Sequence, residues 1–273
     1  MAYDISLTQG MRANLISLQL TSKLVSVAQA RLSTGKRVNT AIDDPVNYFA
    51  AQDHLTRTAD LASRKVGMGE AINIVAAADK GITAINALIE QAKAIATSAL
   101  AIKDSDSRQF YETQFNAVMS QITDVAKDSG YKGTNLLDAG SFDVKFNEDG
   151  SSKLTVSGFG ATTLSEIGLR FAMNWQFFDD ISINDDLSGI GTACEILRTK
   201  AKTLASNMNV ITTRQDFTKN MIDTLKTGAD DLTLADMNEE SANLLMLGIR
   251  HSLGRVSLSI ASKAAQSVLR LFE

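Results

Sequence analysis

The sequence has almost no proline, a single cysteine and few aromatic residues. Of its 273 residues, only Pro45 is a proline and only Cys194 is a cysteine. Proline removes a helix hydrogen bond and clashes with the preceding turn, so its near absence leaves room for long, uninterrupted helices. A lone cysteine forms no intramolecular disulfide, and we therefore expect packing alone to hold the fold together.

Two kinds of targeting segment are also missing from the pattern. The N-terminal stretch MAYDISLTQG has neither the basic region nor the continuous apolar region of a secretory signal. We find no apolar run of the about 20 residues that a bilayer span requires. Composition alone therefore predicts a cytoplasmic protein that does not enter a membrane.

The two ends of the chain resemble each other in charge and differ from what lies between them. Residues 1–42 carry a net charge of +4 and residues 241–272 again +4, although the whole chain carries -4. The middle is therefore strongly acidic. Similar basic ends around an acidic centre indicate that the ends share one role.

Apolar residues at alternating three- and four-residue spacings predict a helix over roughly 4–33 and another over about 236–272. Each has a second apolar stripe beside the first, which makes its apolar face too wide for one partner helix. On the first helix the seam is Met11, Leu15, Leu18, Ser22, Val25, Gln29 and Leu32, with Ile16, Leu20, Leu24 and Val27 beside it. On the last helix the stripes are Leu245, Ile249, Leu253, Val256, Ile260, Ala264 and Leu271, and Leu258, Ala261, Ala265, Leu269 and Phe272.

Between these ends the same rhythm predicts three further helices, over about 45–100, 105–130 and 184–228. Asp43 or Asp44 would cap the first of them ahead of Pro45, whereas Gly130 and Gly228 would end the other two. Alternation around Asp149-Gly150 predicts a β-hairpin. The core seam residues that we single out are Ile82, Ile85, Ile89, Phe115, Val118, Ile122, Leu197, Leu204, Ile211 and Ile222.

The expected fold class is mainly α: a long antiparallel helical bundle or coiled coil with a small β-hairpin. We divide the chain into 1–44 (terminal helix and loop), 45–130 (core helices), 131–183 (hairpin and connection), 184–231 (core helix) and 232–273 (terminal helix). Two terminal helices with excess apolar surface favour assembly over membrane binding, because small and polar residues run through both. Assembly that does not close on itself gives a filament.

At this point two motifs become recognisable. The stretch RLSTGKRVNTAIDDP, Arg31 to Pro45, resembles the N-terminal motif of bacterial flagellins. The stretches TGADDLTLADMNEESANLL and IASKAAQSVLRLF resemble the C-terminal flagellin region, and the resemblance covers about 1–137 and 184–273. About 53 residues separate Gly130 from Asn184, so the outer domains of many relatives are expected to be absent.

The resemblance implies a structural subunit that self-assembles into the extracellular flagellar filament used for swimming. It implies terminal helices that are disordered in the monomer and pair into an inner tube on assembly, and export without a cleaved signal peptide. The implied partners are further copies of the chain, an export chaperone on the C-terminal helix, and the hook-associated junction and filament cap proteins. We expect self-assembly to use Leu15, Leu18, Val25, Leu32, Leu253, Val256, Ile260, Val268, Leu269 and Phe272.

Two alternative functions remain open. A hook–filament junction protein resembles flagellin at both ends but would cap hooks in a short ring. A polysaccharide-binding surface protein could use the aromatic residues Trp175, Phe177 and Phe178 to stack on sugars, although a packed cluster is the simpler interpretation.

Signals for other chemistry are weak, and we expect no enzyme activity, no cofactor, no metal and no nucleic-acid binding. The two histidines, His54 and His251, are far apart and belong to no H-E-x-x-H motif. Asp43-Asp44 is better explained by helix capping than by cation binding. Cys194 lies on a seam and is expected to be packed rather than reactive.

Overall fold

The structure is a computed structural model that describes residues 9–176 and 180–269, with only the backbone for 268 and 269. The described part is mainly α-helical with one antiparallel hairpin, as the sequence predicted. Its elements are α1 (Gln9–Thr34), α2 (Pro45–Leu100), α3 (Ser105–Asp128), β1 (Ser141–Lys145), β2 (Lys153–Ser157), a short 3-10 helix (Leu164–Ile167), α4 (Asp180–Thr233) and α5 (Met237–Leu269).

The chain divides into two compact units. Among the described residues, the terminal unit comprises 9–56 and 224–269, and the central unit comprises 57–176 and 180–223. This division cuts through α2 and α4, whereas our five sequence segments were bounded at helix ends. Periodicity locates the ends of helices but does not tell which parts of a long helix share neighbours, which explains the difference.

One hydrophobic core holds the central unit together, and α2, α3, α4, the hairpin and the following connection all contribute to it. All ten predicted core seam residues are buried, among them Ile85, Ile89 and Ile122 without any exposed surface. Alanines on α2, such as Ala92 and Ala96, are fully buried too. Burying small side chains lets helices pack closely, and the larger Phe115 fills space in the same core.

Carboxylates begin three of the helices, as the sequence suggested for the helix that starts at Pro45. Asp44 accepts a hydrogen bond from the backbone N–H of Asn47 (3.1 Å), and α2 starts at Pro45. Asp104 accepts from Ser107 N (2.9 Å) at the start of α3. Backbone hydrogen bonds hold the pKa of each carboxyl below its usual range, because they stabilise the charged form.

The neighbouring Asp43 has a different role from a cap. Its Oδ2 accepts from the backbone N–H groups of Asn39 (3.1 Å) and Thr40 (2.9 Å), which closes the loop before α2. These bonds lower the pKa of Asp43. At the other end of the chain, Asp236 Oδ1 accepts from Asn238 N (2.8 Å) and Glu239 N (3.2 Å), so it caps the start of α5.

Both predicted glycine stops are wrong. Helix α3 ends at Asp128 with Ser129 as its C-cap, and the side-chain amide of Asn135 donates to the carbonyls of Ala126 (2.8 Å) and Lys127 (2.9 Å). A distant amide thus replaces the glycine cap. Helix α4 continues through Gly228 to Thr233, and it begins at Asp180, before the predicted residue 184.

Gly228 lies inside α4 beside the start of α2, within the terminal unit. A Cβ at this position would lie 3.7 Å from His54 Cδ2, an ordinary contact distance, so packing there does not require a glycine. Helix α4 ends where the carbonyl of Thr233 accepts from Arg37 N (2.8 Å) and Val38 N (3.2 Å). The helix ends there, because its last carbonyl accepts hydrogen bonds from residues outside the helix.

The hairpin pairs Phe142 with Val156 and Val144 with Leu154 in an antiparallel register. Val144 and Val156 face the core, whereas their sequence neighbours are exposed. Gly150 has φ +75° in the connecting loop, a conformation that side chains disfavour, which explains the predicted Asp-Gly turn.

Candidate assembly surfaces

Helices α1 and α5 lie antiparallel in the terminal unit. Asn14, near the start of α1, donates from Nδ2 to the carbonyl of Gly254 (3.3 Å), far along α5. Arg31, near the end of α1, forms an ion pair with Glu240 in the first turns of α5 (2.7 Å). Because the start of α1 contacts a late part of α5 and the end of α1 contacts the start of α5, the two helices are antiparallel.

The pairing face of each helix combines small or polar residues with larger apolar ones. On α1, the buried and half-buried positions repeat at spacings of three and four. They are Met11, Asn14, Leu18, Thr21, Val25, Ala28 and Leu32. On α5 the corresponding positions are Glu240, Leu244, Leu247, His251, Gly254, Leu258, Ala261 and Ala265.

The two helices approach each other closely on this face. A Cβ on Gly254 would lie 2.8 Å from Leu18 Cδ2, so the glycine accommodates the leucine. The Oγ of buried Thr21 donates to the carbonyl of Ser17 within its own helix (2.8 Å), which satisfies the hydroxyl. Small residues such as Gly254 thus let the two helices come close, and leucines such as Leu18 pack into the space that they leave.

A short joint ties the pair to the rest of the terminal unit. Lys36 and Leu234 form an antiparallel bridge, and Ala235 N donates to the carbonyl of Gly35 (3.0 Å). Gly35 has φ +70°, so the chain turns there through a conformation suited to glycine. The ends of α1 and α4 and the start of α5 are thereby fixed to each other.

Large apolar side chains cover the opposite surface of the pair. They repeat at spacings of three and four, as the pairing residues do, but face away from the partner helix. On α1 they are Ile16, Leu20, Leu24 and Val27, and on α5 they are Leu245, Ile249, Leu253, Val256 and Ile260. We call these two rows the outer stripes. Exposed apolar surface of this extent marks a site of protein–protein contact.

The predicted self-assembly residues fall on different sides of the pair. Leu18, Val25 and Leu32 are half-buried on the pairing face, whereas Leu15 is 37% exposed beside it. Leu253, Val256 and Ile260 belong to the outer stripe of α5. Phe272 lies outside the described residues, as do the side chains of Val268 and Leu269. The sequence did not reveal Ile16 or Ile249 as assembly candidates, although it showed the stripes to which they belong.

Exposed bases accompany the outer stripes. Arg12 and Lys23 on α1, and Arg250, Arg255 and Lys263 on α5, are all exposed. The terminal unit therefore presents a surface that is both apolar and basic. Such a surface suits close contact with other helices in salt, which screens the charge.

The aromatic residues proposed as a sugar platform do not form one. Trp175 is 0% exposed, and its ring packs against Phe115 with 5.0 Å between centroids. Its indole N–H donates to Asp186 Oδ2 (2.8 Å). A ring that is enclosed on all sides cannot stack on a polysaccharide, so that role for Trp175 is wrong. Phe177 and Phe178 lie outside the described residues.

Helix α2 requires a correction to the membrane expectation. It holds an 18-residue stretch with mean hydropathy 1.3, long and apolar enough to cross a membrane. The statement that no such stretch exists is therefore wrong. Ile82, Ile85 and Ile89 of this helix belong to the hydrophobic core of the central unit, so packing within the protein explains its apolar character.

Two further observations concern reactive and metal-binding side chains. Burial raises the pKa of the half-buried Cys194 thiol, which disfavours the reactive thiolate. Among residues 9–176 and 180–269, no group of three His, Cys, Asp or Glu side chains is placed to hold a metal ion. The assembly surfaces are thus the best-developed candidate for a functional site.

Comparison with known proteins addresses the same two ends. Residues 6–141 match the bacterial flagellin N-terminal helical region, and residues 187–272 match the bacterial flagellin C-terminal helical region. A flagellin of Brucella melitensis is 28% identical over 268 residues, which span 94% of each chain. Flagellin FljM of Caulobacter vibrioides is 27% identical over 274 residues, which span 98% of each chain.

A crystal structure of Bacillus cereus flagellin is similar with a TM-score of 0.48 at 14% identity, over 56% of this chain and 88% of that one. The near full-length relatives have about the same length as this chain, which agrees with a short form. Since both terminal regions match in order and together span most of the sequence, the chain belongs to the bacterial flagellin family.

Proposed function

We propose that this flagellin builds the helical filament by burying the outer stripes of the α1–α5 pair between neighbouring copies. Filament formation is the function of the family, and the finer proposal concerns which surfaces carry it. The observation that supports it is the row of five large apolar side chains on α5 that no other described element covers. Residues 245–260 thereby keep an apolar surface in water that further copies could remove from it.

The energy available from these stripes is sufficient for assembly. Fully burying a leucine, isoleucine or valine side chain contributes about 1.5–3 kcal/mol, and the outer side chains of α5 begin more than half exposed. Burial of each would contribute about 1–2 kcal/mol in a filament. Several such residues per copy offset the loss of translational freedom and the ordering of the terminal helices.

The first experiment is electron microscopy of the full-length protein after addition of a precipitating salt. We expect long helical filaments, because salt screens the basic ends and strengthens apolar burial. Short rings would instead indicate the hook–filament junction protein. Monomers under all conditions would overturn the proposed filament function.

The stripes are tested by replacing two of their residues together, Leu253→Ser and Ile260→Ser. Both side chains are more than 60% exposed, at 64% and 63%, so the monomer should keep its helical content. The loss of about 1–2 kcal/mol at each position should raise the critical concentration for polymerisation at least roughly tenfold. The matched control is Ser257→Ala, an exposed position on the same helix that lies off the stripe. An unchanged critical concentration in the double variant would refute the role of the stripes.

Further partners follow from the same surface. Inside the cell the outer stripe of α5 needs cover before assembly, and an export chaperone on the C-terminal helix would supply it. In the filament, the first and last copies lack a neighbour on one side, where hook-associated junction and cap proteins would bind. Binding of a chaperone should therefore be weakened by the same Leu253→Ser and Ile260→Ser changes, measured by calorimetry with the monomer.

A further inference from the structure

A methionine continues the outer stripe of α5 towards the start of the helix. Met246 lies three residues before Ile249. The next members of the stripe, Leu253, Val256 and Ile260, follow at spacings of four, three and four. These spacings place Met246 on the same side of the helix as the stripe. Its side chain is 63% exposed, the same fraction as Ile249 and Ile260, so its thioether is open to solvent in the monomer.

Exposure divides the methionines of the described residues into two groups. Met173, Met237 and Met246 are exposed, by 70%, 45% and 63%. The others are buried or half-buried, and they are Met11, Met68, Met119, Met208 and Met221. An oxidant dissolved in water therefore meets three of the described thioethers first, and two of these three belong to α5.

Hydrogen peroxide converts an exposed thioether into a sulfoxide. A lone pair of the Met246 sulfur attacks one peroxide oxygen, and the S–O bond forms as the O–O bond breaks. The sulfur loses two electrons, and the second peroxide oxygen takes up the proton of the transferred oxygen and leaves as water. A polar, chiral side chain replaces a flexible apolar one, and methionine sulfoxide reductases reverse the change.

A sulfoxide at this position would disturb the surface that assembly buries in the proposed filament. In the monomer its oxygen accepts hydrogen bonds from water. In a buried apolar row it would lose them, because its neighbours on the stripe, Leu245 and Ile249, carry only hydrocarbon. Burying a polar group without a hydrogen-bond partner is unfavourable, so the oxidised monomer should assemble less readily than the reduced one.

We propose that Met246 is a site of reversible oxidation by peroxide, and that its oxidation state controls whether the monomer assembles. The thioether leaves the outer stripe of α5 apolar along its length, whereas the sulfoxide interrupts it with a polar group. This inference rests on the proposed function, because the effect requires that assembly bury the stripe.

The test treats folded monomers with hydrogen peroxide and measures polymerisation. The dose is one that oxidises Met246 but leaves the buried methionines intact, by mass spectrometry, and the helical content unchanged, by circular dichroism. The critical concentration should rise at least about fivefold, because the sulfoxide leaves water without a partner. Reduction by methionine sulfoxide reductases should restore the original value. An unchanged critical concentration with Met246 fully oxidised would overturn the proposal.

Two variants assign the effect to one side chain. Met246→Leu keeps an apolar side chain of similar volume that peroxide does not oxidise, so its critical concentration should change less than about twofold on treatment. Met173→Leu is the matched control, because Met173 is similarly exposed but belongs to the central unit, and this variant should stay as sensitive as the unmodified protein. If treatment impairs Met246→Leu as much as the unmodified protein, another side chain such as Met237 is responsible, and the proposal is wrong.

A second measurement needs no variant. Oxidation of Met246 should be at least about tenfold slower in filaments than in monomers, because peroxide reaches a buried side chain only when the contact opens. Equal rates in both states would mean that the filament leaves Met246 in water, and would overturn the proposal while filament formation itself stands. Failure of the untreated, unmodified protein to form any filament would instead overturn the proposed function.

Discussion

Replacing Asp186 by alanine should weaken the central unit in a predictable way. Asp186 is buried, and its two carboxylate oxygens accept from different donors: Oδ2 from the indole N–H of Trp175 (2.8 Å) and Oδ1 from Arg170 Nε (2.7 Å). Phe115 packs against the same indole ring. The aspartate thus joins the start of α4 to the connection that follows the hairpin.

The expected loss of stability differs between the two donors, Trp175 and Arg170. Trp175 is fully buried, so its N–H would lose its acceptor without gaining water, which costs about 1–3 kcal/mol. The side chain of Arg170 is 59% exposed, and water would replace the carboxylate there, so its share is only about 0–1 kcal/mol. We expect Asp186→Ala to lower the free energy of unfolding by about 2–3 kcal/mol. Asp186→Asn keeps an acceptor for the indole and should lower it by about 1 kcal/mol.

The assay is urea unfolding of the monomer, followed by fluorescence, because Trp175 is the only tryptophan in the chain. The energetic coupling between Asp186 and Trp175 is measured by repeating Asp186→Ala in a Trp175→Phe background, with circular dichroism as the probe of unfolding. In that background Asp186→Ala should lower the free energy of unfolding only by the contribution of Arg170, since the buried donor of Trp175 has been removed. A loss below about 0.5 kcal/mol in the first background, or an equal loss in both, would refute the reasoning.

Two more predictions use glycines and acids of the described structure. Gly81→Ala should lower the free energy of unfolding by about 1–3 kcal/mol, because its Cβ would lie 2.7 Å from Leu137 Cδ1, whereas Gly67→Ala on the same helix should raise it by about 0.5–1 kcal/mol. Thermal unfolding measures both, and equal effects of the two changes would contradict the packing at Gly81. Hydrogen bonds from Lys103 and, second in size, from Arg108 hold the pKa of Asp180 below 3.8. The stability that the charged carboxylate gives to the folded protein is therefore present above pH 3.8 and is lost as the pH falls towards the lowered pKa. Asp180→Asn should therefore flatten the pH dependence of unfolding below pH 4, and an unchanged slope would show that Asp180 does not contribute to it.

The core of the central unit could be predicted from sequence because its signal is long and repeated. Apolar residues recur at helical spacing on α2, α3 and α4, and a helix with one such stripe has a single way to bury it. Ile85, Phe115 and Ile211 were therefore identified without knowledge of their partners. The hairpin was equally accessible, since Asp149-Gly150 is a turn between two alternating stretches.

The pairing face of α1 was harder to predict, because two stripes competed for one partner. The sequence seam and the pairing face share Met11, Leu18, Val25 and Leu32. Between them the seam contained Leu15, Ser22 and Gln29, whereas the structure turns Asn14, Thr21 and Ala28 towards the partner, each one residue earlier. Both sets have spacings of three and four, so helical periodicity alone does not decide between them.

Partners that are distant in sequence escaped prediction for a different reason. Asn135 caps the end of α3 with its amide, and Asp186 satisfies the indole of Trp175. Both contacts depend on where the chain returns after the hairpin. No local pattern marks an asparagine as a cap for a helix that has already ended, so Gly130 was the natural but wrong choice.

Helices α1 and α5 carry large apolar residues on two sides, whereas an ordinary surface helix pair carries them on one. Leucines such as Leu18 pack between the helices beside Thr21 and Gly254, and a second set that includes Leu20 and Ile249 faces outward. Packing within the pair thus leaves part of the hydrophobic energy unused in the monomer. That energy becomes available only when other copies cover the outer stripes. A sequence under selection for a stable monomer would not keep a second apolar row in water, and such a row is what a subunit needs when its stable state is the filament.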